Sequence, residues 1–405
     1  MGMKLFGPII ALFLLIGTVA ALPLPQVPLL TGSGGSDLKA IASFEGGQRY
    51  QAGPYPVIVL TGSFRQMGRQ YGGLMKAELN EEYAFLVRNL SERGYTQEQV
   101  RAMGHDVQKF MPERMKEISR GMAETSGLTE DDTYALYYGP IMYMMLQKTA
   151  PACSFLAAWG PYTRDGSVIL SRNYDLTDAV APFDPYYVLV IYRPSDGSNG
   201  VATFGFAGVR PETLMNEKGL FIADNNAGSS GGSLSMYNRP DLISEFLRLM
   251  LDYSDLTGLD AGIQSTRTNL GWIVNAAGPE QAFSYEEAIY DIRQRKGDGV
   301  IAAANHFVDP GWHYADAPPE HSLSRYNNLL RQAEAAKGSI DPQAMMQIRN
   351  ILITDGGATF KHSDMGGSPY SSDHQVVFVP KTLSLFIKVV DKDWQNVELA
   401  PLFSG

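Results

Sequence analysis

The spacing of apolar positions changes along the chain and separates a helical part from an extended part. After a short apolar run at 55–62, apolar positions recur every three or four residues across 63–90, which predicts a helix. Capping-type sequences that begin at Thr96 and Thr129 predict two further helix starts. We therefore expect a mainly helical region over residues 38–152.

From residue 153 onward the pattern becomes that of strands. Residues 153–160 and 168–173 flank an Asp165-Gly166 turn, a combination typical of a β-hairpin. Apolar runs predict further strands at 186–194, 200–208, 219–226 and 299–307, and a closing hairpin around Pro380. Helices are predicted at 239–254, at 322–336 and after a capping box at Ser284–Glu287. Strands, then helices, then strands indicate an α+β fold with layered sheets rather than a doubly wound one.

The first 37 residues have the pattern of an export signal followed by a tether. Lys4 precedes an apolar core at 5–16, and small residues at 19–21 offer a cleavage site, so 1–21 is predicted to be a signal peptide. Residues 22–37 are rich in Pro, Gly and Ser and predict an extended tether. We expect a secreted or extracytoplasmic protein without a stable membrane span, an uncleaved N-terminal anchor being the alternative.

The net charge and the single cysteine limit the partners and the chemistry that the chain can have. The formal net charge of −10 argues against nucleic acid as a partner, because binding to phosphates needs a basic surface. Cys153 is the only cysteine among 405 residues, so it cannot form an internal disulfide. A lone cysteine in an exported protein is a reactive thiol or an intermolecular partner, whereas an inert buried thiol is the plainer alternative.

A nucleophilic thiol needs a base and a group that stabilises the oxyanion. Cleavage of the chain before Cys153 would free an α-amine whose pKa of about 7.7–8.0 suits it to take the thiol proton. The small residues at 150–152 leave room for such a self-cleavage.

Four sequence elements, in order, resemble one group of enzymes. Cys153 opens a strand whose hairpin partner ends in Arg172-Asn-Tyr-Asp175, and "MNEKGLFIADNN" ends at Asn226. "AANHF" contains Asn305, and "SLSRYNNLL" contains Arg325. This pattern resembles the N-terminal nucleophile (Ntn) hydrolases of the choloylglycine hydrolase, acid ceramidase and isopenicillin-N acyltransferase type.

The resemblance implies a four-layer αββα fold, with residues 38–152 as a helical α-chain region and 153–405 as the catalytic β-chain. It implies that Cys153 is the nucleophile, that Arg172 orients the thiol and that Asp175 accepts from the freed α-amine. Asn226 would donate to the oxyanion, and Asn305 and Arg325 would lie beside the nucleophile.

The same resemblance implies self-cleavage into two chains that stay associated, and hydrolysis or acyl transfer at a linear amide through a thioester. No cofactor or metal is expected, and the substrate is a small-molecule or lipid-like amide. A bile-salt-like conjugate, a fatty-acid amide, a small peptide, a β-lactam precursor and an ester all remain open.

Two other functions compete with this interpretation. "GSSGG" fits the Gly-x-Ser-x-Gly pattern with Ser230 as a serine nucleophile, but no helix is predicted directly after it. An exported binding protein on the same scaffold would leave Cys153 inside the chain. Five histidines lie in the last third without the spacing of a known metal motif, at positions 306, 313, 321, 362 and 374.

Overall fold

The computed structural model describes residues 38–146, 151–233, 242–313, 317–365 and 367–404. The predicted signal peptide and tether lie outside the described residues. Within the described part of the chain, no helix is long and apolar enough to cross a membrane.

Seventeen strands and eleven α-helices are described. The strands are β1 Ala40–Phe44, β2 Gly47–Ala52, β3 Tyr55–Gly62, β4 Ala152–Ala158, β5 Ile169–Thr177, β6 Tyr187–Pro194, β7 Val201–Phe206, β8 Thr213–Asn216, β9 Phe221–Asn226, β10 Trp272–Ala277, β11 Ala282–Glu287, β12 Ile292–Lys296, β13 Val300–Ala303, β14 Ser363–Asp364, β15 Pro369–Val379, β16 Ser384–Val389 and β17 Gln395–Glu398. The helices are α1 Phe64–Leu74, α2 Lys76–Ser91, α3 Gln97–Gln108, α4 Glu113–Ser126, α5 Glu130–Leu146, α6 Gly228–Gly231, α7 Leu242–Asp252, α8 Leu256–Ser265, α9 Glu320–Ala335, α10 Pro342–Asn350 and α11 Ala400–Phe403.

The strands form two sheets. The first has ten strands in the order β1-β2-β3-β6-β7-β8-β9-β10-β11-β12, and the second runs β13-β4-β5-β15-β16-β17 with β14 paired to β15. Pairing is antiparallel except between β3 and β6, which run parallel. The sheets face each other through Phe155, Phe221 and Phe378, whose rings stack in a row.

Helices cover both outer surfaces of this sandwich. Helix α1 packs on β2 and β3, whereas α7 and α8 lie against β8, β9 and β10. On the other side, α9 packs on β13 and β4, and α10 packs on β5 and β15. The predicted α+β class with four αββα layers is confirmed.

The residues before and after Cys153 share one sheet and one core. Strand β3 from the helical region pairs with β6 from the later part of the chain. Leu79 and Leu86 of α2 belong to the same buried cluster as Cys153 and Phe155. The helical region therefore packs as part of the sandwich rather than as a separate body.

Local signals in the sequence predict some elements well and others wrongly. The capping box at Thr96 is present, with both reciprocal bonds to Gln99. The helix predicted over 63–90 is two helices, because α1 ends at Leu74 and α2 begins at Lys76.

The helix predicted after Ser284–Glu287 is wrong. These residues form the end of β11, between β10 and β12, and the Ser284 hydroxyl donates to Asn275 across the ladder rather than to a helix terminus. Cross-strand pairing on both sides outweighs the local capping pattern.

Candidate active site

Cys153 is the second residue of β4, and its side chain is fully buried. Strand β4 lies between β13 and β5, so the backbone of Cys153 is inside the second sheet. The residues on either side of Cys153 point to the opposite face of this sheet, because side chains alternate along a strand.

We call the two sides of this sheet the thiol face and the helix face. Cys153 pairs with Tyr174 and Phe155 pairs with Arg172, and Phe155 stacks on Phe221 of the first sheet, so these residues form the thiol face. Ala152 pairs with Asp175, which points to the other side, the helix face, where α9 and α10 pack. The sheet therefore separates Arg172 from Asp175, although they are only three residues apart.

On the thiol face, Arg172 is held around the sulfur by several acceptors. Its Nη2 atom lies 3.7 Å from Cys153 Sγ and donates to the Asp224 carbonyl at 2.8 Å. Its Nη1 atom donates to Thr213 Oγ1 at 2.6 Å, and the carboxylates of Asp224 and Glu212 lie 3.4 and 4.0 Å from Nη2. The cation is therefore fixed beside the thiol.

Burial raises the pKa of the Cys153 thiol well above its usual range, and Arg172 opposes this shift. Asp224, Asp175 and Glu212 add to the rise. Burial and Glu212 also raise the pKa of Asp224 to about 7. In the uncleaved chain the thiol is therefore held protonated.

On the helix face, Asn305 and Arg325 bind the backbone of Cys153. The Cys153 N–H donates to Asn305 Oδ1 at 3.0 Å, and Arg325 Nη1 donates to the Cys153 carbonyl at 2.6 Å. Arg325 Nη2 also donates to Asn305 Oδ1 at 2.7 Å, which fixes the two side chains to each other. The nitrogen that cleavage would release is therefore already held in place.

Asp175 completes the helix face. Its Oδ2 accepts from Arg325 at 3.1 Å and its Oδ1 accepts from the Ser372 hydroxyl at 2.6 Å. Burial raises the pKa of Asp175 to about 6, although Arg325, Ser372 and Arg349 oppose the rise. The backbone of Asp175 pairs with that of Ala152, the residue before Cys153.

Arg349 is a part of the helix face that the sequence did not indicate. It is fully buried, and it donates to the hydroxyls of Ser154 and Ser171 at 2.8 Å each. Burial lowers its pKa to about 9. An arginine inside α10 carries no local signal of this position, because the contact depends on how α10 packs on the second sheet.

Asn226, the predicted oxyanion donor, reaches the site through Asn305. It ends β9, its backbone carbonyl accepts from Asn305 Nδ2 at 2.8 Å, and its Oδ1 accepts from the Gly228 N–H at 2.9 Å. Its side-chain nitrogen donates to none of the described residues. The described part of the fold thus leaves this N–H group available for an oxyanion.

The alternative nucleophile Ser230 lies in the short helix α6, and its hydroxyl accepts from the Phe307 N–H at 3.4 Å. Among the described residues, no histidine forms a hydrogen bond with its hydroxyl. His306 bonds to Ser322 and His321 to Arg325, and burial lowers the pKa of each ring to about 4. Over the described ranges, no group of His, Cys, Asp and Glu is placed to hold a metal ion.

Comparison with known proteins gives matches to solved structures only. No family model and no curated protein matches the chain. A variant of conjugated bile acid hydrolase from Clostridium perfringens matches with 12% identity over 62% of this chain and 95% of that one, at a TM-score of 0.44.

Two further matches have similar extent. Penicillin V acylase from Agrobacterium tumefaciens is 12% identical over 60% of this chain and 85% of that one, with a TM-score of 0.41. The Caenorhabditis elegans N-acylethanolamine-hydrolyzing acid amidase ortholog is 10% identical over 56% and 93%, with a TM-score of 0.38.

Proposed function

We propose that this chain is an exported, self-processing Ntn hydrolase that cleaves linear amides through a thioester on Cys153. The observation that carries the proposal is that Cys153 is bound at three atoms: Asn305 accepts from its N–H, Arg325 donates to its carbonyl, and Arg172 lies beside its sulfur. Asp175 in turn accepts from Arg325. A merely structural cysteine would not need a buried guanidinium beside its sulfur.

Self-cleavage would proceed by attack of Cys153 Sγ on the Ala152 carbonyl carbon. The C–N bond to Cys153 breaks as the C–S bond forms, and the thiol proton passes to the leaving nitrogen. Water then hydrolyses the thioester, which gives an Ala152 carboxylate and a free α-amine on Cys153. Asn305 and Asp175 would then accept hydrogen bonds from that amine.

In turnover, the α-amine would take the thiol proton, and the thiolate would attack the substrate carbonyl. The departing amine takes the proton from the α-ammonium, and the acyl group stays on Sγ as a thioester. Water, deprotonated by the α-amine, releases the acid and restores the thiol. Asn226 would stabilise the negative oxygen in both steps. The chain's own groups thus supply nucleophile, base and oxyanion donor.

The two products of self-cleavage would remain associated, because β3 and β6 pair in one sheet and the core is continuous between the parts. The substrate is proposed to be a small-molecule or lipid-like amide, with ester cleavage and acyl transfer as variants of the same chemistry.

A substrate screen tests the proposal. Matured protein is incubated with N-acyl amides of varied acyl length, amino-acid conjugates and matched esters, and the Cys153→Ala chain serves as the inactive control. We expect release of the acid from at least one amide, and loss of this activity on alkylation of the single thiol. Full activity after complete alkylation would instead favour Ser230. An intact chain that binds but never cleaves these amides would favour the binding-protein interpretation.

A further inference from the structure

Of the five histidines in the last third of the chain, His374 lies at the thiol face. It is buried in β15, where its ring packs among Tyr174, Tyr187 and Phe204. Its Nε2 lies 3.3 Å from Thr213 Oγ1 and its Nδ1 lies 3.1 Å from the Tyr187 hydroxyl. The first of these contacts joins it to Arg172, because Thr213 Oγ1 is also the acceptor of Arg172 Nη1.

A β-bulge puts His374 there. Ser372 pairs with Asp175 and His374 pairs with Tyr174, so β15 contains one extra residue, Asp373, between two adjacent residues of β5. Without the bulge, His374 would point to the helix face with Ser372, since residues two apart share a face. Bulges re-aim side chains in this way, and this one turns an imidazole toward Tyr174 on the thiol face.

The hydrogen bonds of this group have a fixed direction. The Tyr187 hydroxyl donates to the Asp373 carboxylate, so the same oxygen can only accept from His374 Nδ1. A neutral ring with its proton on Nδ1 leaves Nε2 as an acceptor, and Thr213 must donate to it. Thr213 Oγ1 then presents its lone pairs to Arg172, which can only donate.

The titration of the neighbouring groups agrees with this direction. Burial and Arg172 lower the pKa of His374 well below its usual value, which keeps the ring neutral. Burial raises the pKa of Asp373 to about 6, and burial together with Asp373 raises that of Asp184 to about 9. Burial and mutual repulsion thus favour a shared proton on this acid pair, and Asp373 is the acceptor of the Tyr187 hydroxyl at the end of the chain of bonds.

We infer that His374 is a positioning residue for the thiol: by fixing the Thr213 hydroxyl as an acceptor, it holds the Arg172 guanidinium against Cys153 Sγ. Every group in the chain of bonds that runs from Thr213 to Asp373 is at least nine-tenths buried, so water does not replace a missing link. Successive bonds that donate in one direction strengthen one another in a buried site. This inference rests on the proposed function only in that Cys153 is taken as the nucleophile.

Kinetics of four variants test the inference. His374→Phe and Thr213→Val keep the shape of each side chain and remove the link, so each should lower kcat about tenfold with KM nearly unchanged. Both should also move the acid limb of the kcat–pH profile upward by about one unit, because the thiolate loses its oriented cation. Thr213→Ser keeps the hydroxyl and should restore wild-type behaviour, and the double variant should be no worse than either single one.

A spectroscopic test covers the case in which these variants fail to fold. In the uncleaved Cys153→Ala chain labelled with ¹⁵N-histidine, His374 should be neutral, protonated on Nδ1 and unchanged between about pH 5 and 8. His105→Gln, at an exposed position on α3, provides the control that leaves both readouts as in the wild type.

Three results would overturn the inference: an unshifted profile in His374→Phe, a Thr213→Ser variant as impaired as Thr213→Val, or a ring protonated on Nε2. The wild-type chain separates the two proposals. If it cleaves amides but its His374 is protonated on Nε2, the positioning role of His374 is wrong and the proposed function stands. If it cleaves none, the proposed function fails, and the tautomer still decides the direction of the bonds.

Discussion

The two faces of β4 hold opposite arrangements of charge. On the thiol face, one cation at the sulfur, Arg172, stands between the carboxylates of Asp224 and Glu212. On the helix face, one carboxylate, Asp175, is influenced by two arginines, Arg325 and Arg349. The first arrangement lies around a buried thiol whose pKa is raised, whereas in the second Arg325 binds both the Cys153 carbonyl and the Asp175 carboxylate.

This difference shows how one strand can serve two tasks. Alternation along β4 places the sulfur on one face, whereas the side chains that bind the Cys153 backbone pack from the other. Under the proposed cleavage, the proton state of the thiol would be set on one side of the sheet, and the position of the released amine on the other. Substitutions on one face can be compared with substitutions on the other to test this separation.

The largest effect is expected at Cys153, which both faces serve. Cys153→Ala should abolish self-cleavage and turnover, since the bond-forming atom is gone. Cys153→Ser should cleave itself slowly, because a hydroxyl is a weaker nucleophile at its free pKa. A time course on denaturing gel electrophoresis measures self-cleavage, and product release measures turnover. Wild-type turnover in Cys153→Ala would move the chemistry elsewhere.

The next largest effect, on kcat, is expected at Asn226, the predicted oxyanion donor. This residue lies at the end of β9 and on neither face of β4. Asn226→Ala should fold, lower kcat by roughly 10²–10³ and change KM little, because the amide acts mainly in the transition state. Asn226→Gly should be equally impaired. If Asn226 were only a turn residue, the glycine variant would be nearly silent, since glycine gives the same backbone freedom. Comparison of kcat for the two variants decides the role.

A smaller effect should have opposite signs on the two faces. Arg172→Lys keeps a charge but loses the planar fork, so the thiolate is less stabilised and the acid limb of kcat/KM should move up by about one unit. Asp175→Asn removes the carboxylate beside the α-ammonium, so that limb should move down by a similar amount. The thiol and the amine titrate as a coupled pair, and the limb reports both. Shifts in the same direction would contradict the separation of the faces.

The smallest effect is on stability and follows from the raised carboxyl pKa values. Burial raises the pKa of Asp175 from 3.8 to about 6 and that of Asp224 from 3.8 to about 7. A raised folded-state pKa contributes stability that is full below the unfolded value and is lost as pH rises through the folded value.

The Cys153→Ala chain, which stays uncleaved, should lose Tm as the pH rises from about 4 to 6. Adding Asp175→Asn to this chain should make that loss smaller. Adding Asp224→Asn to the same chain should reduce the loss of Tm up to about pH 7. Thermal unfolding followed by circular dichroism at several pH values measures both. Slopes that are unchanged or steeper would show that the partners of these carboxyls keep them ionised in the fold.

Local patterns in the sequence predict the hairpin β4–β5 and the capping box at Thr96, and the family resemblance indicates most of the residues that meet at Cys153. They are not enough where pairing partners are distant. The capping pattern at Ser284 is outweighed by the ladders with β10 and β12, and Arg349 joins the site only through the packing of α10.

The Arg-Asn-Tyr-Asp motif at 172–175 does not by itself show which face of the sheet each of its residues occupies. Arg172 and Asp175 stand in one short element, yet the strand sends them to opposite sides of the sheet. The bulge at Asp373 that brings His374 to the thiol face depends on the register between β15 and β5, which no single segment specifies.

The proposed chemistry depends on cleavage of the peptide before Cys153, which releases the α-amine that acts as the base. N-terminal sequencing of the larger fragment in purified active protein tests this most directly. We predict that the fragment begins Cys-Ser-Phe-Leu, from Cys153 onward, and that it copurifies with the smaller chain. A fragment that begins at any other residue, or an uncut chain with full activity, would contradict this prediction.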